Sequence, residues 1–131
     1  MLKTTIAETH KGKIILMDSI TKLEPGDEGA IVLSASHGGV SSGEFALVMP
    51  LQFVLFNDAG IGRDNAGIAA LDMLEERGVG GAAISHLSGR IGDAKDIWEH
   101  GVISAVNPRA ESYGISVGDK VADRLLTLIA S

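Results

Sequence analysis

The chain has no cysteine, one tryptophan, one tyrosine, three phenylalanines and three prolines among its 131 residues. Without cysteine there are no disulfides, no thiolate nucleophile and no Cys-ligated metal, a composition that fits a cytoplasmic protein. With so few aromatic rings, the core must be built mainly from Ile, Leu, Val and Ala. Positive charge is also in deficit: 11 Lys and Arg against 17 Asp and Glu give a net charge of −6. No basic stripe is visible, so no nucleic-acid partner is expected. No Lys/Arg run suits an anionic membrane surface. The longest apolar stretch, residues 45–56, contains Pro50 and Gln52 and is too short to span a bilayer. The polar segment 1–13 lacks the apolar centre of a signal peptide.

Glycine, by contrast, is plentiful at 17 residues, well above the usual share of about 7%. The glycines follow no period. They gather in loops and at the ends of apolar runs, which argues for many tight turns in one folded unit. The length suits a single domain over residues 1–131.

Apolar runs alternate with helical patterns along the chain. Strands are expected at 13–17, 30–35, 52–56, 81–85 and 102–106. Helical turns are expected at 44–49, stopped by Pro50, and a longer helix at 65–77, with Asp64 as cap and Gly78 as the left-handed stop. Asp93 caps a short helix ending at Gly101. Asn107-Pro108 opens another that Gly114 ends. Asp119 caps a last helix through Ile129. This alternation predicts an α/β fold: a three-layer Rossmann-like or flavodoxin-like domain with a mostly parallel sheet of about five strands and helices on both faces. The 13–17 strand has a connection of only about a dozen residues, near the minimum for a parallel crossover, so antiparallel pairing at an edge is the alternative for it.

Four loops rich in Gly, Ser, His, Asp and Arg follow the apolar runs: 36–43, 57–65, 85–93 and 107–109. In a parallel sheet such loops converge on one crevice at the carboxyl ends of the strands. Residues 39–43 match the G-x-S-x-G nucleophile pattern, which would make Ser41 a nucleophile with His86 as partner. However, His37 and Gly38 separate the motif from the strand end. The preferred reading is an anion-binding loop using Gly38, Gly39, Ser41 and Ser42. The Gly60-Ile61-Gly62 segment departs from the dinucleotide fingerprint at Asn65, and Ser85-His86 stand where an acidic ribose ligand is needed. No cofactor is therefore expected.

Asp58 ends a buried strand, where a carboxylate must find partners. It serves either to receive the N–H groups of the following turn or as a base or metal ligand. His37 and His86, at neighbouring strand ends, are suited to proton transfer near neutral pH. With Asp58 they also have the composition of a two-imidazole, one-carboxylate metal site, although neither lies in a short ligand motif. Arg63, Arg90 and Arg109 occupy the loops while lysines avoid them, and arginine makes fixed bidentate contacts with carboxylate or phosphate. Asn57, Ser88 and Asn107 complete the candidate ligand-binding set.

These residues lead to an expected enzyme acting on a small anionic, carbonyl-containing metabolite by acid/base or hydrolytic chemistry. His37, Asp58 and His86 would be its catalytic groups, and the Gly38 and Gly39 amides would receive oxyanion charge. Two alternatives use the same residues: a non-catalytic anion-binding or regulatory subunit, and a structural subunit of an oligomer. The apolar content and the 45–56 stretch also lead to an expectation of homo-oligomerisation.

Overall fold

The computed structural model describes residues 1–130. A six-stranded sheet runs in sequence order, formed by β1 (Lys3–Thr9), β2 (Gly12–Met17), β3 (Ile31–His37), β4 (Phe53–Asn57), β5 (Gly80–Ile84) and β6 (Ile103–Val106). The β2-β3-β4-β5 pairings are parallel, and the two outer pairings, β1-β2 and β5-β6, are antiparallel. The sheet is therefore mixed rather than mostly parallel.

The two antiparallel edges account for what the sequence reading missed. β1 lies in the polar segment with little hydrophobic signal, because its outer flank is an edge and most of its residues are exposed or half-exposed. β2 carries the apolar pattern. It reaches β3 as a parallel neighbour, with Ile14 opposite Ile31, through a connection that contains two short 3-10 turns and no α-helix. β6 is too short to announce its direction.

Alternation along the strands sorts the apolar side chains onto two faces. On one face Ile14, Leu16, Ile31, Leu33, Phe53 and Leu55 meet α3 (Ala94–His100) and α5 (Val121–Ile129) through Ile97, Val121 and Leu125. On the other, Ile15, Val32, Val54 and Phe56 meet α1 (Val40–Ala46) and α2 (Ala70–Glu76) through Ala46, Leu71 and Leu74. α4 (Pro108–Ser112) adds Ala110 to the first face. Burial of a Phe or Leu side chain contributes about 1.5–3 kcal/mol, so both layers contribute substantially to stability.

The helix ends hold one confirmed pair of caps and two departures. The Asp93 carboxylate accepts the Asp96 N–H at 3.0 Å, and the Asn107 amide oxygen accepts that of Ala110 at 2.9 Å. Asp64 does not cap a helix from 65 to 77. Residues Arg63–Ile68 form an irregular 3-10 segment in which Asp64 and Asn65 are left-handed, and α2 begins only at Ala70. Asp119 likewise leaves α5 uncapped. Its carboxylate takes the Ser116 N–H and pairs with Arg124 at 3.1 Å. Among the described residues no helix is long and apolar enough to cross a membrane.

Candidate functional site

The connections leaving β3 and β4 run to α1 and α2 on one face, whereas the connection leaving β5 runs to α3 on the other. Neighbouring loops therefore part company between the carboxyl ends of β4 and β5. That is the place where open α/β sheets form their crevice, and it holds Asp58 and His86.

Asp58 follows directly on β4, and its backbone N–H extends the parallel ladder to Ile84 O at 2.8 Å. Its side chain is only 6% exposed. Oδ1 accepts from Gly60 N at 2.8 Å, from His86 N at 3.1 Å and from His86 Nδ1 at 3.2 Å. Oδ2 accepts from the Ser104 hydroxyl at 2.7 Å. Burial alone would raise this carboxyl. The hydrogen bonds from Ser104, from the Gly60 and His86 backbone and from the His86 ring outweigh it, and Asp58 is held below the usual carboxylate value. The carboxylate thus stays ionised and requires a proton on His86 Nδ1. In the neutral ring, the Nε2 lone pair is then free, on a side chain that is 47% exposed.

Ser104 is the member of this group that the sequence did not reveal. It lies in β6, read as an apolar strand. The register slips so that Ala83 faces Ala105 while Ile84 faces Ile103, leaving Ser104 as the extra residue of a bulge. Bulges re-aim side chains, and here the hydroxyl is turned toward Asp58. The only signal in the sequence was a lone serine in a strand whose direction was unknown.

The segment after Asp58 is held in an unusual backbone. Ala59, Ile61, Asp64 and Asn65 have positive φ, interleaved with Gly60 and Gly62. Each such non-glycine residue costs about 1 kcal/mol or more. Close packing fixes the segment in place. Gly38 N donates to both Asn57 O and Gly67 O, and a Cβ on Gly67 would overlap the Asp58 carbonyl.

His37 stands two strands away from His86. Its Nδ1 accepts the Gly39 N–H at 3.1 Å, so the neutral ring carries its proton on Nε2, the opposite tautomer from His86. It lines two clefts of about 360 Å³ and 460 Å³. Neither cleft is lined by Asp58 or His86. Among the described residues, no three His, Asp or Glu side chains converge as a metal site would need.

Several other candidates are committed within the protein. The Gly38 and Gly39 amides, expected to receive oxyanion charge, already donate to Asn57, Gly67 and His37. Asn57 is fully buried, donating to Gly89 O and accepting from Ala59 N, each at 2.8 Å. The Ser88 hydroxyl bridges Ser85 O and Val102 N. Ser41 is exposed, lines the smaller of the His37 clefts, and has no hydrogen bond to a histidine among the described residues.

The fourth loop is at the wrong end of the sheet for a common crevice. Because β6 runs antiparallel to β5, residues 107–109 emerge at the amino edge of the parallel strands. There the Asn107 amide binds Gly81 N, Ala110 N, Leu71 O and Val79 O. The Arg109 guanidinium lies over Gly78, which precedes β5. Arg63 and Arg90 remain at the carboxyl edge, exposed, and neither forms an ion pair among the described residues.

The chain matches no protein-family model, no curated protein and no solved structure.

Proposed function

We propose that this protein is an enzyme of proton transfer acting on a small anionic carbonyl compound, with His86 as its base. The observation that carries the reading is the Asp58–His86 pair: an ionised, buried carboxylate fixing the Nδ1 proton of a half-exposed imidazole and leaving Nε2 free to accept. In the reaction, Nε2 takes a proton from the carbon beside the carbonyl. The imidazolium that forms is stabilised by the Asp58 carboxylate, which keeps its charge because Ser104 and two backbone N–H groups hold it ionised. Arg90, four residues after His86, and Arg63, five after Asp58, supply positive charge at the same edge for the anionic group. Arg109 and Asn107 have no part in it.

The three-layer arrangement supports a Rossmann-like reading of the fold, with the split between β4 and β5 in the role of the switch point. Self-association belongs to the same proposal, since Val40, Phe45 and Val48 leave apolar surface exposed along and just beyond α1. Sedimentation would show a dimer or larger species if this is right and a monomer if it is not.

The catalytic reading is tested by incubating the protein in D2O with a panel of small 2-oxo acids and following loss of the proton signals beside the carbonyl. The wild type is expected to catalyse exchange with at least one of them, and His86→Ala to lose it. If the wild type and His86→Ala exchange every compound at the same rate, the proposal fails.

A further inference from the structure

The smaller cleft beside His37, of about 360 Å³, lies among the carboxyl ends of β2 and β3, the first turn of α1 and the tip of the 85–93 loop. Neither Asp58 nor His86 lines it, so it stands apart from the proton-transfer pair and from any ligand of that pair. Its lining is of two kinds. The first is a set of polar groups that both donate and accept. The Ser36 hydroxyl accepts the Ile20 N–H at 2.9 Å and keeps its own proton to donate. His37 takes the Gly39 N–H on Nδ1, and its Nε2–H has no partner among the described residues. The Ser42 hydroxyl is reached by solvent through the cleft and makes no hydrogen bond among the described residues. The Asp18 carboxylate accepts the Leu2 N–H at 2.7 Å and the Ala94 N–H at 2.9 Å, one on each oxygen. A carboxylate has about four acceptor sites, so each oxygen can accept again. The second kind is apolar: Phe45 and Ile91, both half-exposed.

This combination narrows the ligand by exclusion. Asp18 is the one charged side chain in the lining, with no cation beside it, and it repels a carboxylate or a phosphate. An organic cation would suit Asp18 but would meet the His37 N–H with like polarity. A metal ion would need further His, Asp or Glu ligands, and none converge among the described residues. A purely apolar molecule would strip water from four polar groups and give no hydrogen bond back. What fits is a neutral molecule with several hydroxyls, each one donor and two acceptor lone pairs, and with one apolar face. The ring of a monosaccharide has both, hydroxyls around its rim and C–H groups across its face. The cleft volume is within the range of about 300–1,000 Å³ usual for small-ligand pockets.

We propose that this cleft binds a neutral monosaccharide. Its hydroxyls donate to Asp18 and accept from Ser36, His37 and Ser42, and its C–H face lies against Phe45. This site is separate from the His86 reading and stands or falls without it.

The test is an NMR titration of the full chain with D-glucose and D-ribose, in parallel with tetrahydropyran, which has the ring but no hydroxyls, and with acetate. Saturable shifts of the Ser36, His37 and Ser42 amides are expected with at least one of the two sugars. Tetrahydropyran and acetate should bind there at least tenfold more weakly. Ser42→Ala, a change tolerated in a helix, should weaken the sugar about tenfold, the value of one neutral hydrogen bond. Phe45→Leu, which keeps an apolar side chain but removes the flat ring, should weaken it severalfold, and the unshifted remainder of each spectrum shows that the variants are folded. The proposal is overturned if neither sugar shifts those amides, if tetrahydropyran or acetate binds as well as the sugar, or if both variants bind like the wild type.

Discussion

Two buried polar residues at opposite ends of the sheet, Asn107 and Asp58, show how differently the same problem can be solved. Both follow a strand and both are sealed from solvent, at 2% and 4% exposure. Asn107 satisfies all its capacity internally, joining β5, α2 and α4 with four hydrogen bonds. Asp58 also accepts four, but one of its donors is a half-exposed imidazole whose other nitrogen is free. The amino edge is therefore closed, and the carboxyl edge ends in a group with unused chemistry. Burial of a polar residue does not by itself mark a site; what matters is whether its network terminates inside the protein or at the surface.

That contrast can be broken at either end. The largest effect is expected at the closed end. Asn107→Ala leaves two N–H groups and two carbonyls without their partner, and at about 1–3 kcal/mol for each orphaned group the loss should be about 5 kcal/mol. Chemical denaturation checks this, and any protein that remains folded should keep its proton-exchange activity.

His86→Ala should do the opposite. Exchange should fall about 10²- to 10⁴-fold, the usual contribution of a general base, while stability changes by less than about 1 kcal/mol for a half-exposed side chain. Parallel loss of activity and stability would place His86 in the same structural class as Asn107.

Asp58→Asn lies between these. It keeps the shape but replaces an acceptor oxygen with an amide nitrogen where donors converge, at a cost of about 2 kcal/mol. It also removes part of the acid sensitivity. Because the folded state holds the Asp58 carboxyl below its usual value, the unfolded chain binds that proton first. The resulting stability is present above the unfolded value, about 3.9, and is lost as pH falls through the lower folded one. Denaturation midpoints measured between pH 5 and pH 2 should therefore fall less steeply in Asp58→Asn than in the wild type.

The smallest effect is expected far from both ends, where Lys3 ties β1 to the turn before β3. Its ammonium meets Asp27 at 2.8 Å and Glu24 at 3.0 Å. Lys3→Ala should cost about 1 kcal/mol, at the upper end for a partly exposed pair, with exchange activity unchanged.

Residues differ in how far their roles were legible in the sequence. Asp93 and Asn107 could be read as caps because a cap is a local matter of one side chain and the next turn. Asp58 and His86 could be read as strand-end residues because the apolar runs before them are unambiguous. Their pairing depended on β4 and β5 being adjacent, which the alternating pattern left open: His86 was expected at a strand end neighbouring that of His37, and β4 lies between them. Strand direction at the edges was not legible. A four-residue strand such as β6 carries the same apolar pattern either way, yet its direction decides that Arg109 and Asn107 leave the site and Ser104 enters it. The backbone of 59–65 was hidden for another reason. Its left-handed residues include Ile61, an improbable choice for that conformation, and only the packing of Gly38 and Gly67 against the strand end accounts for it.

The central claim is that Asp58 fixes His86 with its proton on Nδ1 and its Nε2 open. It is tested most directly by ¹⁵N NMR of the imidazole nitrogens in the ligand-free protein, at a pH where the ring is neutral. The account predicts a protonated-type Nδ1 and an unprotonated-type Nε2 for His86, reverting toward a mixture in Asp58→Asn, and the opposite assignment for His37. A His86 ring with its proton on Nε2, unchanged by Asp58→Asn, would contradict it.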